Sequence, residues 1–284
     1  MTSGADVVID TMSDDDLAVA VDWAAAEGWN PGLADAATFH AADPSGFLAA
    51  RVDGRLVGSV SAVKSGSDFG FIGMFIVVPE LRGAGLGMRL WDAGMARLAG
   101  RTVGLDGVVD MQDAYARSGF VLDYRNLRYS GTLAAVPSSA DAASLLGSAD
   151  LEAIAAYDRP CFGTERREFL SAWLAQPNAF TFGVVRGSAL AGYGTVRQAR
   201  EGWKIGPLFA DDGDAAWQIL DAFHGVVGGE ATVALDVPEP HSRARETAEH
   251  LGMTVSFETA RMYAGGRPVL PVDRIFGVTS FELG

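Results

Sequence analysis

The chain has 284 residues, 49% hydrophobic and 20% charged, enough apolar material for packed cores and too much for a mainly disordered protein. Its net charge of −14 argues against nucleic acid or anionic lipid as a partner, since both require a basic face, while a cationic substrate is compatible. One cysteine excludes an internal disulfide, and four scattered histidines offer no metal-ligand spacing, so no metal is expected.

No run approaches the ~18 continuous apolar residues of a membrane span. The first six residues lack the basic-then-apolar pattern of a secretion signal. A cytoplasmic protein with no membrane partner is the expectation.

In chain order, helices are predicted at 14–27 and 35–41, with the loop Glu-Gly-Trp-Asn-Pro-Gly at 27–32 between them. Strands follow at 46–54, 56–63 and 69–78, joined by local turns that make them antiparallel. The third runs into Pro79, which stops it. The stretch Val-Val-Pro-Glu-Leu-Arg-Gly-Ala-Gly-Leu-Gly at 77–87 then leads into an amphipathic helix, 85–98, with Leu86, Leu90, Met95 and Leu98 on one face. A short buried strand, 102–105, runs into Asp106; a short helix carries Tyr115; a closing hairpin completes the unit. Residues 134–141 are small and polar with a proline, as linkers are.

The same plan then recurs. Helices at 151–157 and 165–175 precede strands at 179–187, 189–197 and 203–209, a helix at 215–226 and a buried strand at 232–235. Four landmarks repeat at a constant spacing of 133 residues: Gly54 and Gly187, Ile72-Gly73 and Ile205-Gly206, Gly119 and Gly252, Arg128 and Arg261. Strands before and after helices in mixed order predict α/β (mixed α+β) layered halves.

The glycine stretch carries the most chemistry. Glycines at a strand-to-helix junction let backbone amides converge on a ligand, and the positive end of the helix favours an anion. Arg82 adds a cation suited to phosphate oxygens. A Walker loop would end Gly-Lys-Ser/Thr, whereas Gly87 is followed by Met88 and Arg89. A dinucleotide site, as in a nicotinamide-dependent oxidoreductase, needs G-x-G-x-x-G directly after a strand; here the glycines are 83, 85 and 87, with four residues intervening after Val78, so that reading is a runner-up.

The pattern Val-x-Pro-x-x-Arg-Gly-x-Gly-x-Gly resembles the coenzyme A motif of the GNAT acetyltransferase superfamily. Tyr-Ala-Arg-Ser-Gly-Phe at 115–120 matches that family's Tyr-x-x-x-Gly-Phe. The duplicated layout, ending Ile275-Phe276-Gly277 and Ser-Phe-Glu-Leu-Gly at 280–284, resembles tandem-GNAT proteins of the YitH type. The resemblance implies two GNAT-like domains, 1–134 and 141–284, each with a mostly antiparallel mixed sheet flanked by helices.

It also implies acetyl-CoA as co-substrate. Arg82, Gly83, Ala84, Gly85, Leu86 and Gly87 would hold its pyrophosphate, and the strand edge at Phe75, Ile76 and Val77 its pantetheine arm. The acceptor would be a small-molecule amine, attacking the thioester directly, with a homodimer left open.

Direct transfer needs the amine's proton removed and the leaving thiolate protonated. Tyr115 is the candidate acid, its competing duty being core packing. The family's common Asn seven positions before the tyrosine is Val108, and 71–77 contains no carboxylate. The base is therefore sought among Glu27, Asp106 and Asp110. Of the three, Asp106, at a strand end bordering the cleft, is the candidate, although capping the next turn is the stronger expectation for it. Glu27 and Trp29 are expected to shape the amine pocket.

The second half carries Ala-Asp-Asp-Gly-Asp-Ala at 210–215 in place of the glycine loop, which would repel a pyrophosphate, so no cofactor is expected there. Tyr157 and Arg166 are expected to face the acceptor pocket, and Cys161 lacks a partner histidine. A non-catalytic acyl-CoA sensor is the alternative reading.

Overall fold

The computed structural model describes residues 7–133 and 142–284; the expected seam at 134–141 and the first six residues lie outside them. The first half runs β1 (Val7–Thr11), α1 (Asp14–Ala26), α2 (Asp35–Ala42), β2 (Phe47–Val52), β3 (Arg55–Ser65), β4 (Phe69–Val77), α3 (Leu86–Arg97), β5 (Thr102–Val108), α4 (Gln112–Arg117) and β6 (Val121–Thr132). The second runs β7 (Ser144–Leu146), α5 (Leu151–Phe162), α6 (Arg167–Ala175), β8 (Ala179–Arg186), β9 (Ala189–Gln198) and β10 (Trp203–Ala210). It continues with α7 (Gly213–Val227), β11 (Thr232–Pro238), α8 (Ser242–His250), β12 (Thr254–Ala264) and β13 (Ile275–Gly277).

The strands join in one sheet, ordered β1-β2-β3-β4-β5-β12-β6-β11-β10-β9-β8-β7, with β13 paired to β10. The closing strands have changed places: β12 lies between β5 and β6, and β6 lies between β12 and β11. Where the sequence predicts a closing hairpin in the first half, a single long strand, β6, crosses into the other half. With a partner on each edge it leaves no unpaired ladder for a hairpin arm to cover.

The exchange is matched by reciprocal ion pairs. Arg261 of β12 stands opposite Asp106 of β5, and Arg128 of β6 stands opposite Asp236 of β11. Each arginine donates two hydrogen bonds to its aspartate, at 2.5–2.8 Å, and all four side chains are buried. The landmark Arg128/Arg261 repeat thus fixes the registers that knit the halves together.

Side chains alternate across the sheet with period two. Ala49 and Val63 face a core under α1, α2, α5 and α6 that contains Leu17, Phe39, Phe169 and Trp173, and so spans both halves. Ala50 and Ala62 face the opposite core under α3, with Leu86, Leu90 and Trp91. Helices α7 and α8 cover the second half's sheet through Ile219, Phe223 and Ala248. Among the described residues no helix is long and apolar enough to cross a membrane.

Candidate active site

Strands β4 and β5 are paired in parallel only from Phe69/Thr102 to Phe71/Gly104, although β4 continues to Val77 and β5 to Val108. Past Phe71 their edges part, and a cleft of about 740 Å³ opens between them. Phe75, Ile76 and Val77 form part of one wall; Leu105, Asp106 and Gly107 form part of the other. On the first wall the chain bulges at Met74, whose φ is 45°, and Ser59 Oγ donates to its carbonyl at 2.7 Å.

The cleft runs to the start of α3. Gly83 and Gly85 have φ of 79° and 82°, which only glycine adopts without strain, and a Cβ at either would meet nothing within 4 Å. Gly85 is the N-cap and supplies no side-chain acceptor, so the first-turn amides of α3 have no intrahelical partner. Arg82 borders them, fixed by donating from Nε to the Val77 carbonyl at 2.8 Å and from a terminal nitrogen to Glu27. Gly87 and Met88 also line the cleft; Ala84 and Leu86 do not, and Leu86 is buried in the core beneath α3. At these two positions only the backbone can serve a ligand.

Tyr115 stands on the opposite wall. Its ring lies so close to β5 that a Cβ at Gly107 would fall 2.2 Å from Cε2, and it packs on Trp91 with ring centroids 5.5 Å apart. Burial pushes its hydroxyl up to about 12, so it is protonated at neutral pH. Asp106 borders the same cleft with both oxygens engaged: Arg261 binds each, and Asn126 Nδ2 donates at 2.8 Å.

Glu27, Trp29 and Asp110 also line the cleft. Glu27 is spent on Arg82, and the Trp29 carbonyl accepts from Arg128 at 2.8 Å. The loop they occupy is moored to the second half, since Asn30 Nδ2 donates to the Glu201 carbonyl and its Oδ1 accepts from the Glu201 amide.

Four lining residues come from the second half: Phe257 and Thr259 of β12, and Phe281 and Glu282 beyond β13. Nothing in the sequence pattern singles them out, and 280–284 enters the sequence reading only as part of the tandem layout. The one signal was indirect: a strand at 71–77 without a carboxylate leaves the proton acceptor to be supplied from elsewhere.

The equivalent place in the second half is filled. Strands β10 and β11 pair in parallel from Trp203/Val233 to Ile205/Leu235 and then part. Into the gap comes β13, pairing with β10 at Leu208/Gly277 and Phe209/Ile275, and the Val278 amide donates to the Asp236 carbonyl at 2.9 Å. The N-terminus of α7 is capped by Asp212, which accepts from the Ala215 amide and pairs with Arg186.

Tyr157 and Arg166 do not face the acceptor pocket as the sequence suggested. Tyr157 donates to the Ala191 carbonyl, and Arg166 binds both oxygens of Asp158 between the rings of Phe162 and Phe169. Their charges and hydroxyls are satisfied within the second half's own core. Cys161 is buried, its thiol pushed up to about 12 by desolvation.

A duplicated α/β sheet, opened at one of its two parallel strand pairs toward an uncapped helix end with an adjoining arginine, defines a two-half acyltransferase. The chain belongs to the GNAT superfamily in the tandem arrangement. Residues 15–120 match the Acetyltransferase (GNAT) family, and 154–277 match an Acetyltransferase (GNAT) domain. Over 93% of its length the chain is 27% identical to holothin acyltransferase of Pseudoalteromonas sp. (strain SANK 73390), covering 90% of that protein.

Two solved structures share the fold. A putative acetyltransferase from Pyrococcus horikoshii aligns with a TM-score of 0.83 at 21% identity, covering 100% of this chain and 98% of that one. A tandem GNAT protein from the clavulanic acid biosynthesis pathway aligns with a TM-score of 0.63 at 15% identity, covering 91% and 98%.

Proposed function

We propose that the chain is an acetyl-CoA-dependent N-acetyltransferase acting on a small primary amine, with its chemistry confined to the cleft of the first half. The observation that carries this reading is the parting of β4 from β5 toward the uncapped start of α3 beside Arg82. An extended thioester arm can add to the free edge of β4 at Phe75, Ile76 and Val77. Its pyrophosphate meets the amides of residues 83–88 and the Arg82 guanidinium, an anion at a positive helix end.

Tyr115 is the group that protonates the departing thiolate, and its protonated state at neutral pH suits that task. Direct attack by the amine is the simplest route, since the chain's single cysteine is buried with a raised pKa.

Away from Arg82 the cleft lining mixes apolar surfaces, from Trp29, Met111, Phe257 and Phe281, with the carboxylate of Asp110. That lining suits an amine carried on an apolar, ring-bearing body. Holothin therefore belongs in the first acceptor panel, as the substrate named for a relative that spans nearly the whole chain. The test is calorimetry with acetyl-CoA followed by thiol release over that panel, repeated with propionyl- and hexanoyl-CoA. Binding at one site per chain with amine-dependent thiol release, fastest for acetyl-CoA, is expected. Absence of acetyl-CoA binding would remove the reading.

A further inference from the structure

We infer that Glu282 is the general base of the first-half cleft, so that the second half, whose own strand gap is filled by β13, completes the active site of the first. The inference rests on the acyl-transfer reading above.

Glu282 is 3% exposed and lines the cleft, and neither carboxylate oxygen has a hydrogen-bond partner among the described residues. Leaving a carboxyl group's oxygens buried and unbonded costs several kcal/mol in a structural setting. A group kept in that state has its lone pairs free for something that enters the cleft. The other candidates are committed: Asp106 to Arg261 and Asn126, Glu27 to Arg82. Asp110 lies on the exposed rim.

The placement of Glu282 is over-determined. Its carbonyl lies against β4 so closely that a Cβ at Gly73 would fall 2.4 Å away, which sets the residue beside the wall that the thioester arm would follow. The Leu283 amide donates to Ser280 Oγ and the Gly284 amide to the Ser280 carbonyl, closing a turn around it. Upstream the segment is tied to the second half, with Val278 bonded to Asp236 and Thr279 Oγ1 accepting from Arg166.

Two buried cations interact with Glu282 through space. Arg128 has its fork occupied by Asp236, and the Lys204 ammonium has no hydrogen-bond partner among the described residues. They face the carboxylate without occupying its oxygens.

In the reaction, Glu282 first takes a proton from the acceptor's ammonium. The freed amine nitrogen attacks the thioester carbonyl carbon and the C–N bond forms. The C–S bond breaks with its electron pair on sulfur, which takes the Tyr115 proton; the second nitrogen proton passes to the Tyr115 phenolate, and Glu282 gives its proton to water after release. Atoms and charge balance without a further reactant.

The test compares wild type with Glu282→Gln using acetyl-CoA and two acceptors: 2-phenylethylamine, an ammonium at neutral pH, and hydroxylamine, already neutral there. The Gln variant should lose about 10²–10⁴-fold in turnover with phenylethylamine. Its hydroxylamine turnover should fall only a few-fold, with acetyl-CoA affinity and melting temperature unchanged. Equal loss with both amines, or none, overturns the assignment. If Glu282→Gln melts early, Glu282→Ala is assayed with added formate, where restored turnover supports the base and absence of rescue overturns it. Wild type that neither binds acetyl-CoA nor releases thiol with these amines or any amine of the panel refutes the acyl-transfer reading itself, and this inference with it.

Discussion

Strands β4 and β5 share three paired positions and then part around an open cleft, while β10 and β11 share three and part around β13. The backbone plan is the same in both halves, so the splay is a property of the architecture and activity depends on what occupies it. The details around each gap diverge accordingly. One helix starts at Gly85 with no side-chain cap; the other starts at Asp212, whose carboxylate satisfies the amides that an anion would need. The position 133 residues after Tyr115 is Ala248, and that 133 after Phe71 is Lys204. The Arg261 guanidinium lies 5.3 Å from the Phe71 ring, an attractive contact, whereas the matching Arg128 depresses the pKa of Lys204.

The largest effect that can break this contrast is on turnover. Tyr115→Phe keeps the ring packed on Trp91 and removes only the hydroxyl. Turnover should fall about 10–1,000-fold while melting temperature and acetyl-CoA affinity hold. Intact turnover would leave the first half without the acid that sets it apart. Next comes the cofactor contact. Arg82→Glu should weaken acetyl-CoA binding about 10–100-fold, the loss of a charge-assisted contact plus repulsion. Calorimetry with unchanged affinity would remove the loop's assigned duty, and two sites per chain would show the second gap to be functional.

Lys204 sharpens the comparison through pH. Burial, and then Arg128, lower its pKa from 10.5 to about 8, against the opposing pull of Glu282 and Asp236. Between those values the unfolded chain binds the extra proton, so this residue's contribution to stability improves as pH rises from about 8 to 10.5. Below that window the penalty is full, of order 3 kcal/mol for a shift of this size. Lys204→Met should therefore raise the melting temperature most at pH 7, with the gain shrinking by pH 10; a gain independent of pH would contradict the assignment.

The smallest effect is expected from Asp212→Ala, which removes the α7 cap and should cost about 0.5–2 kcal/mol. Because β13 still fills the gap, calorimetry should again find one acetyl-CoA per chain. A second site appearing would mean that the cap, and not the filling strand, closes this half.

Chemistry that lies within one loop or one helical turn was legible from the residues. Pro79, the three glycines and Arg82 announce a strand end, an uncapped helix and a cation within nine residues, and the structure assembles them as spaced. The place of Tyr115 on the cleft wall is legible for the same reason, its helix and the strand beneath it being sequence neighbours. Asp106 shows where that kind of reading ends. A strand-end carboxylate beside a cleft looks like a base until Arg261, 155 residues later, is found on both its oxygens.

By itself the sequence determined that the chain is duplicated, that each half is layered α/β, and that only the first has a glycine-rich helix start beside an arginine. These follow from periodicity, turn residues and local charge, which act over a few residues. Only the tertiary structure decided that β6 and β12 change places, that β13 fills one gap, and that Glu282 reaches the other. The alternating pattern of a strand is satisfied equally by a partner in its own half or in the opposite one. The choice is made by contacts such as the reciprocal Arg128–Asp236 and Arg261–Asp106 pairs and the approach of Glu282 to Gly73, which join residues more than a hundred positions apart.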